Sequence, residues 1–178
     1  MKHTLVAKVM DQPGVLNRVA SLFRRRAFNI DSLTVGHTET AEVSRMTIVV
    51  DTARVPAHIV AENLRKLIPV ADVVDVTHMP TVDRDLALIR VSCAPAERAE
   101  LASLVEIFRA RIVDVAAESV IVEVTGHEQK VDGLVELLRP RGIQEMVRTG
   151  KIAMVRGSVG EAKPAVHVSG AAGAAATH

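Results

Sequence analysis

Two short polar segments carry the residue types that could bind an amino acid. Residues 11–14 read Asp-Gln-Pro-Gly and stand between a β-branched stretch and a helical pattern, while Asn29 opens a later apolar stretch. N–H groups at a helix start bind anions such as a carboxylate, and Gly14 has no Cβ to block their approach. Asn29 offers both a donor and an acceptor. Together these groups could hold the carboxylate and the ammonium of an amino acid.

The same spacing has a simpler interpretation. Gly14 would then only ease a tight turn, and Asn29 would be a loop residue that opens a strand. Spacing alone favours this simpler interpretation, and both remain open at this point.

Other kinds of site find little support in the sequence, and no catalytic residue is predicted. The single cysteine, Cys93, ends an apolar stretch with no His close to it, so we expect a buried, unreactive thiol. Seven scattered His residues without an i, i+4 pair predict no metal site. The three arginines at 24–26 end a helical pattern, where cations complement the helix dipole. Residues 83–85, Asp-Arg-Asp, open a predicted strand and are interpreted as a solvated linker face.

The first half of the chain must supply the elements that position these segments. Short stretches rich in β-branched residues predict four strands, over 4–10, 29–36, 46–50 and 73–76. Apolar residues at helical spacing predict one helix after the first strand and another after the third. The order βαββαβ is the ferredoxin-like pattern, an α+β fold.

The two predicted helices have recognisable starts. The first runs from 15 to about 26, with Asp11 as a candidate N-cap and Pro13 favoured in its first turn. The second opens at Pro56, and its apolar residues are predicted to share one inner face: Val60, Leu64, Leu67 and Ile68.

The second half of the chain repeats the pattern of the first. Predicted strands cover 86–91, 112–115, 120–124 and 143–147, with an additional one over 152–155, and predicted helices begin near 95 and 131. Phe23 and Phe108 stand 85 positions apart, and Asp31 and Asp114 stand 83 apart. These offsets indicate a duplicated unit, so we predict two tandem ferredoxin-like domains.

The predicted domains are 1–79, 80–157 and a flexible tail over 158–178 that is rich in Gly and Ala. Each unit has about 75 residues, a size at which a lone core is marginal. Ile30, Leu33 and Val35 would lie on an edge strand with little charge, which favours pairing with a second copy. We therefore expect a symmetric homodimer that forms through the first domain.

Composition excludes several classes of protein. The chain has 178 residues, with 22 Lys and Arg against 21 Asp and Glu, and its aromatic content is 2%. Proteins that bind nucleic acids are usually basic, and single-stranded bases stack on aromatic side chains. No apolar run approaches a membrane span, and no signal peptide is visible. These features predict a cytoplasmic protein without nucleic-acid or membrane partners.

Residues 11–19 resemble the start of an ACT domain, a small amino-acid-sensing module. Residues 22–36 and 44–50 are more specific, since they closely resemble the regulatory (small) subunit of acetolactate synthase, also called acetohydroxyacid synthase. In the second half, residues 85–91 and 107–115 resemble the C-terminal domain of that family. The resemblance extends over about residues 5–157.

This resemblance implies a non-catalytic subunit that binds a large catalytic subunit. It implies that the small subunit raises the activity of its partner and confers feedback inhibition by valine, at the first shared step of valine, leucine and isoleucine biosynthesis. The partner would carry thiamine diphosphate, Mg²⁺ and FAD and join two pyruvates, or pyruvate and 2-oxobutyrate. No cofactor is expected on this chain.

The family's pattern also implies a valine site between the ACT domains of two chains. The loop at 11–14 comes from one chain and the start of the second strand from the other, which gives five candidate residues: Asp11, Gly14, Val15, Asn29 and Ile30. The chain departs from the family at two positions. Asp11 stands where the family often has Asn, and Ala27 stands where it usually has Gly, at a site that often takes positive φ.

Two alternative functions are kept. The chain could be a free-standing ACT-type sensor that acts on another enzyme. It could also be an RNA-binding module, but that function needs aromatic residues exposed on the central strands. We expect aliphatic residues there instead: Leu5, Ala7, Val9, Met46, Ile48 and Val50.

Overall fold

The computed structural model describes residues 1–53 and 55–157. Two antiparallel sheets, each with a pair of helices, make up this part of the chain. The predicted flexible tail, 158–178, lies outside the described residues. In the described part, no helix is long and apolar enough to cross a membrane.

The first unit has the predicted order βαββαβ. Its elements are β1 (Lys2–Met10), α1 (Val15–Arg26), β2 (Asn29–His37), β3 (Val43–Asp51), α2 (Ala57–Arg65) and β4 (Val70–Asp75). The strands lie in the order β2-β3-β1-β4, which places β2 and β4 at the edges of the sheet. This topology confirms the ferredoxin-like fold.

The second unit repeats this order. Its elements are β5 (Thr81–Ser92), α3 (Arg98–Ile107), β6 (Arg111–Val115), β7 (Ser119–Gly126), α4 (Glu128–Leu138), β8 (Ile143–Arg148) and β9 (Ile152–Val155). The sheet order is β6-β7-β5-β8. The first four residues of β5 pair with β9, and later residues of β5 pair with β7 and β8. The predicted domain boundary, 79/80, falls in the connection between β4 and β5.

Each core lies between one face of a sheet and its two helices. In the first unit, the alternating residues of β1 and β3 are at most 1% exposed: Leu5, Ala7, Val9, Met46, Ile48 and Val50. The expectation that they lie on the open face of the sheet is therefore wrong. Successive side chains of a strand point to opposite faces, and burying each Val, Leu, Ile or Met side chain contributes about 1.5–3 kcal/mol. The open face carries the intervening residues, among them Thr4, Val6, Lys8 and Thr47.

Two details differ from the sequence predictions. Ile68 is 92% exposed, because α2 ends at Arg65 and the residue before Pro69 avoids the helical region. Residues 83–85 belong to β5, and their interpretation as a solvated linker face is wrong at Asp85. Asp85 is buried and forms an ion pair with Arg148 of β8, with 2.5 Å between Oδ2 and a guanidinium nitrogen. The apolar alternation of β5 identified only its second half.

From β1 to β2 in the first unit and from β5 to β6 in the second, equivalent positions are 82 apart, which corrects the predicted offsets of 85 and 83. Ala27 and Arg109 end the first helix of each unit with positive φ, at 52° and 48°. The residue after each of them donates its N–H to a carbonyl five positions earlier, as in a Schellman motif. The first edge strands bulge at Asp31 and Val113, again 82 positions apart. The positive φ expected at Ala27 is confirmed.

The ribbon of β5 and β9 covers part of the open face of the first sheet. Val6 and Val76 of the first unit pack against Ala153 of β9 in a small buried cluster. The guanidinium of Arg45, on β3, donates to the Ala153 carbonyl at 2.6 Å. Burial lowers the pKa of Arg45 from its usual value. The two units therefore share a packed interface.

Candidate functional site

The loop that follows β1 is held firmly on both sides. Met10 N–H donates to the Pro69 carbonyl at 2.8 Å, and Asp11 N–H donates to the Glu42 carbonyl at 2.7 Å. Val15 then begins α1, with its side chain buried in the core. The loop therefore presents a fixed helix start rather than a mobile segment.

Gly14 occupies the N-cap position of α1 in a left-handed conformation, with φ at 85°. No side chain accepts a hydrogen bond there, so the prediction that Asp11 caps the helix is wrong. The Asp11 carboxylate lies instead 3.3 Å from Nδ1 of His37 at the end of β2. A Cβ on Gly14 would meet no atom within 4 Å. The backbone conformation thus favours glycine at position 14, and the space in front of it is open.

The first turn of α1 leaves N–H groups available. Val15 N–H donates weakly to the Gln12 carbonyl at 3.3 Å, and Arg18 N–H donates to the Gly14 carbonyl. Among the described residues, neither Leu16 N–H nor Asn17 N–H has a hydrogen-bond acceptor, and the turn contains no acidic residue. A helix start of this kind carries a partial positive charge. It can therefore receive a carboxylate.

Asn29 and Ile30 lie at the other end of the sheet. Asn29 pairs with Asp51 at the end of β3, beside the start of β1, whereas His37 lies beside the Gly14 loop. A nine-residue strand spans about 30 Å. Within one chain, the structure therefore does not bring Asp11, Gly14 and Val15 together with Asn29 and Ile30. Asn29 is exposed, and Ile30 packs partly against the core.

A cavity of ≈ 470 Å³ opens beside Asn29, between the end of α1, the start of β2 and α2. Phe23 and Phe28 form one wall, with their rings edge to face and 5.7 Å between centroids. Arg24 and Asp51 also line it. Sequence reasoning missed this cavity and the contact between His37 and Asp11. The βαββ topology could have indicated the contact, because α1 returns the chain to the end where β1 begins and β2 then runs parallel to β1, so both strands stop at the same end of the sheet.

The remaining candidate chemistry is sparse. Cys93 is buried, as expected. The three arginines at 24–26 form the last turn of α1, as predicted. Within 1–53 and 55–157, no group of three or more His, Cys, Asp or Glu residues is placed to hold a metal ion.

Comparisons with known proteins agree along both units. Residues 5–72 match the family described as the AHAS small subunit-like ACT domain, and residues 84–157 match the family described as the small subunit of acetolactate synthase. A probable acetolactate synthase small subunit of Archaeoglobus fulgidus is 53% identical over 158 residues, which covers 89% of this chain and 99% of the relative. The acetolactate synthase small subunit of Bacillus subtilis is 46% identical, with 89% and 92% covered.

A solved structure is also similar to this chain along most of its length. The crystal structure of the acetolactate synthase small subunit of Thermotoga maritima aligns with a TM-score of 0.82 and 38% sequence identity. The alignment covers 89% of this chain and 99% of that chain.

Proposed function

The chain belongs to the acetolactate synthase small-subunit family, and from that premise we propose that it is a regulatory subunit which activates a separate catalytic subunit and makes it sensitive to valine. Thiamine diphosphate, Mg²⁺ and FAD would be bound by the catalytic subunit, and the complex would form acetolactate in the cytoplasm. The open start of α1 at Gly14 carries this proposal, because it offers unpaired N–H groups without an anion of its own.

We propose that the valine site forms between two chains. β2 is an edge strand, and Val35 on it is 44% exposed. Antiparallel pairing of β2 with the same strand of a second copy, about a twofold axis near Leu33, would reverse the direction of the strand. Asn29 of one chain would then lie at the end where the partner's Gly14 loop is found. The separation of the candidate residues within one chain is what such a site requires.

Each proposed residue has a distinct task in that site. N–H groups of the first turn of α1 would bind the valine carboxylate, with Gly14 leaving room for it. Asp11 would attract the ammonium, and Asn29 would hydrogen-bond the ligand from the other chain. Ile30 and the backbone of Val15 would border the side chain. Selectivity should be modest, since one methylene in an apolar pocket is worth about 1–3 kcal/mol.

Inhibition also requires that valine discriminate between two states of the complex. Valine binding would stabilise one arrangement of the dimer, and the catalytic subunit must respond differently to the two arrangements. A coupling free energy of about 1–3 kcal/mol is enough to shift an affinity by about 5–150-fold.

A Gly14→Asp variant tests the site. The new carboxylate would repel the ligand's carboxylate, so we expect valine inhibition to be abolished while activation of the catalytic subunit is retained. The measurement is acetolactate formation by the reconstituted complex with and without valine. Gly14→Ala is the matched control, because it adds a Cβ at positive φ, at a cost of about 1–2 kcal/mol, without the charge. Unchanged valine inhibition in Gly14→Asp would disprove the site assignment.

A further inference from the structure

The strand that begins with Asn29 and Ile30 also touches the second unit. Lys151 N–H, between β8 and β9, donates to the Ser32 hydroxyl at 3.1 Å. Gly150 lies so close to β2 that a Cβ on it would be 2.5 Å from both the Ser32 and the Thr34 hydroxyl oxygens. Only a glycine fits this contact without displacing its neighbours. Strand β2 therefore contributes to the proposed effector site at its start and contacts the second unit a few residues further on, at Ser32 and Thr34.

Charged groups extend this contact to both sides. Lys2 of β1 lies 2.9 Å from the Asp31 carboxylate on β2 and 3.5 Å from Glu128 in the first turn of α4. Lys151 lies 3.5 Å from Glu128 and 3.9 Å from Asp83. The hydrogen bond with Asp31 is the main reason why the pKa of Lys2 is raised. The network joins β2 to the second unit through five side chains.

The contact is placed where β2 can adjust. Asp31 is the bulged residue of β2, at which the register with β3 shifts. A bulge leaves one residue outside the regular ladder, so the strand can change its local twist there without losing the pairs on either side. Asp31 stands between Ile30, in the proposed site, and Ser32, in the contact.

The contact contains one hydroxyl that is hydrogen-bonded and, among the described residues, one that is not. Ser32 and Thr34 point to the same face of β2, next to Gly150. The Ser32 hydroxyl accepts the Lys151 N–H, whereas the buried Thr34 hydroxyl oxygen has no hydrogen-bond partner among the described residues. A small displacement of β2 would offer the same N–H a second acceptor. A bistable contact of this type is what a switch requires.

The second unit holds its side of the contact rigidly. Thr149 N–H donates to the Leu86 carbonyl at 2.9 Å, and the Thr149 hydroxyl accepts the Leu86 N–H at 3.0 Å. One residue earlier, Arg148 binds the carboxylates of Asp85 and Asp132. A displacement at Gly150 would therefore be passed to the sheet of the second unit rather than absorbed by a loose turn.

We propose that residues 149–151, seated on Ser32 and Thr34, are the joint through which the effector site regulates the second unit, and with it the catalytic subunit. This inference rests on the proposed valine site. The joint does not contact the ligand, so its residues are positioning residues. Disturbing it should separate the binding of valine from its effect.

The test uses the full chain reconstituted with its catalytic subunit and two variants, Ser32→Ala and Gly150→Ala. We expect both to bind valine within about twofold of wild type by calorimetry, while the concentration of valine that gives half-inhibition rises about fivefold or more. Ser103→Ala is the control, because its hydroxyl donates to the Ala99 carbonyl within α3, away from the contact, and it should change neither quantity. Wild-type inhibition in both joint variants would overturn the proposal. If Gly150→Ala does not fold, the result for Ser32→Ala alone decides whether the proposed joint is correct.

Hydrogen exchange distinguishes failure of the joint from failure of the site. In the wild-type complex, valine should change amide protection both at 29–34 and at 149–151. A change confined to 29–34 would overturn the joint and leave the site intact. A change in neither segment would overturn the proposed valine site itself, and the joint with it.

Discussion

At equivalent points of their sheets, the two units carry pairs of a basic and an acidic side chain in opposite orientation. In the first unit, the basic side chain is His3 on β1, and its Nδ1 lies 2.9 Å from the Asp75 carboxylate on β4. In the second unit, the anion is Asp85 on β5, and the cation is Arg148 on β8. His3 and Asp85 are 82 positions apart. The duplication therefore conserved the position of a polar bridge between the first and last strands but not its chemistry.

The two units also differ at the start of their first helices, α1 and α3. In the first unit, Gly14 leaves the first turn of α1 open. In the second unit, Ala96 stands at the equivalent position, and the Glu97 carboxylate accepts the Ala94 N–H at 3.1 Å. An anion already occupies that helix start and would repel a ligand carboxylate. The position equivalent to Asn29 holds Arg111. Of these two helix starts, that of α1 is therefore the one that suits the carboxylate of the proposed ligand.

Breaking the ion pair of the second unit should have the largest effect. Arg148→Met leaves Asp85 buried without a partner, so we expect the free energy of unfolding to fall by about 3 kcal/mol. His3→Gln, in the more exposed pair of the first unit, should cost about 1 kcal/mol or less. Urea titrations of the full chain near neutral pH measure both. Adding Asp85→Asn to Arg148→Met should recover much of the loss, and equal losses in the two single variants would refute the contrast.

The contrast between the two units at the position of Asn29 should appear in the affinity of the chain for valine. Asn29→Ala removes a hydrogen bond to a charged ligand, and we expect valine binding to weaken about tenfold. Arg111→Ala changes the equivalent residue of the second unit and should leave the affinity unchanged. Calorimetric titration of the full chain gives both constants. Weaker binding in Arg111→Ala alone would move the site to the second unit.

The smallest expected effect is on the stability of the protein at low pH, to which Asp75 contributes. Burial raises the pKa of Asp75, but hydrogen bonds from Thr77 and the contact with His3 outweigh it, so the pKa lies below its usual 3.8. The stabilisation is therefore complete above the unfolded-state pKa and is lost as pH falls through the lower folded-state value. Asp75→Asn should flatten the fall of the thermal midpoint below about pH 4. An unchanged acid profile in this variant would show that the carboxylate contributes nothing.

Local patterns predicted most of the fold. Apolar spacing located helices α1 to α4, and Pro140 with Gly142 indicated the end of α4, because both interrupt a helix. The same spacing failed at Ile68, where Pro69 stops the helix before the pattern ends. Periodicity describes a face, whereas the neighbouring proline decides how far the backbone can follow it.

Tertiary features were harder to predict from the sequence. The residue types at Gly14 and Asn29 indicated what each could bind, but only the topology shows that they lie at opposite ends of one sheet. Asp85 looked like a solvent-facing residue because its partner, Arg148, is 63 positions away. The contact of Gly150 with Ser32 joins residues of different units, and no local pattern encodes it.

The twelve residues of β5 have a mechanical consequence. The strand would extend about 40 Å, with its first third paired to β9 over the first sheet and the rest in the middle of the second sheet. The two units are therefore connected by a continuous strand that both share, and not by a flexible linker. Any reorientation of one unit must bend or twist this strand, so the two units should tumble in solution as one rigid body.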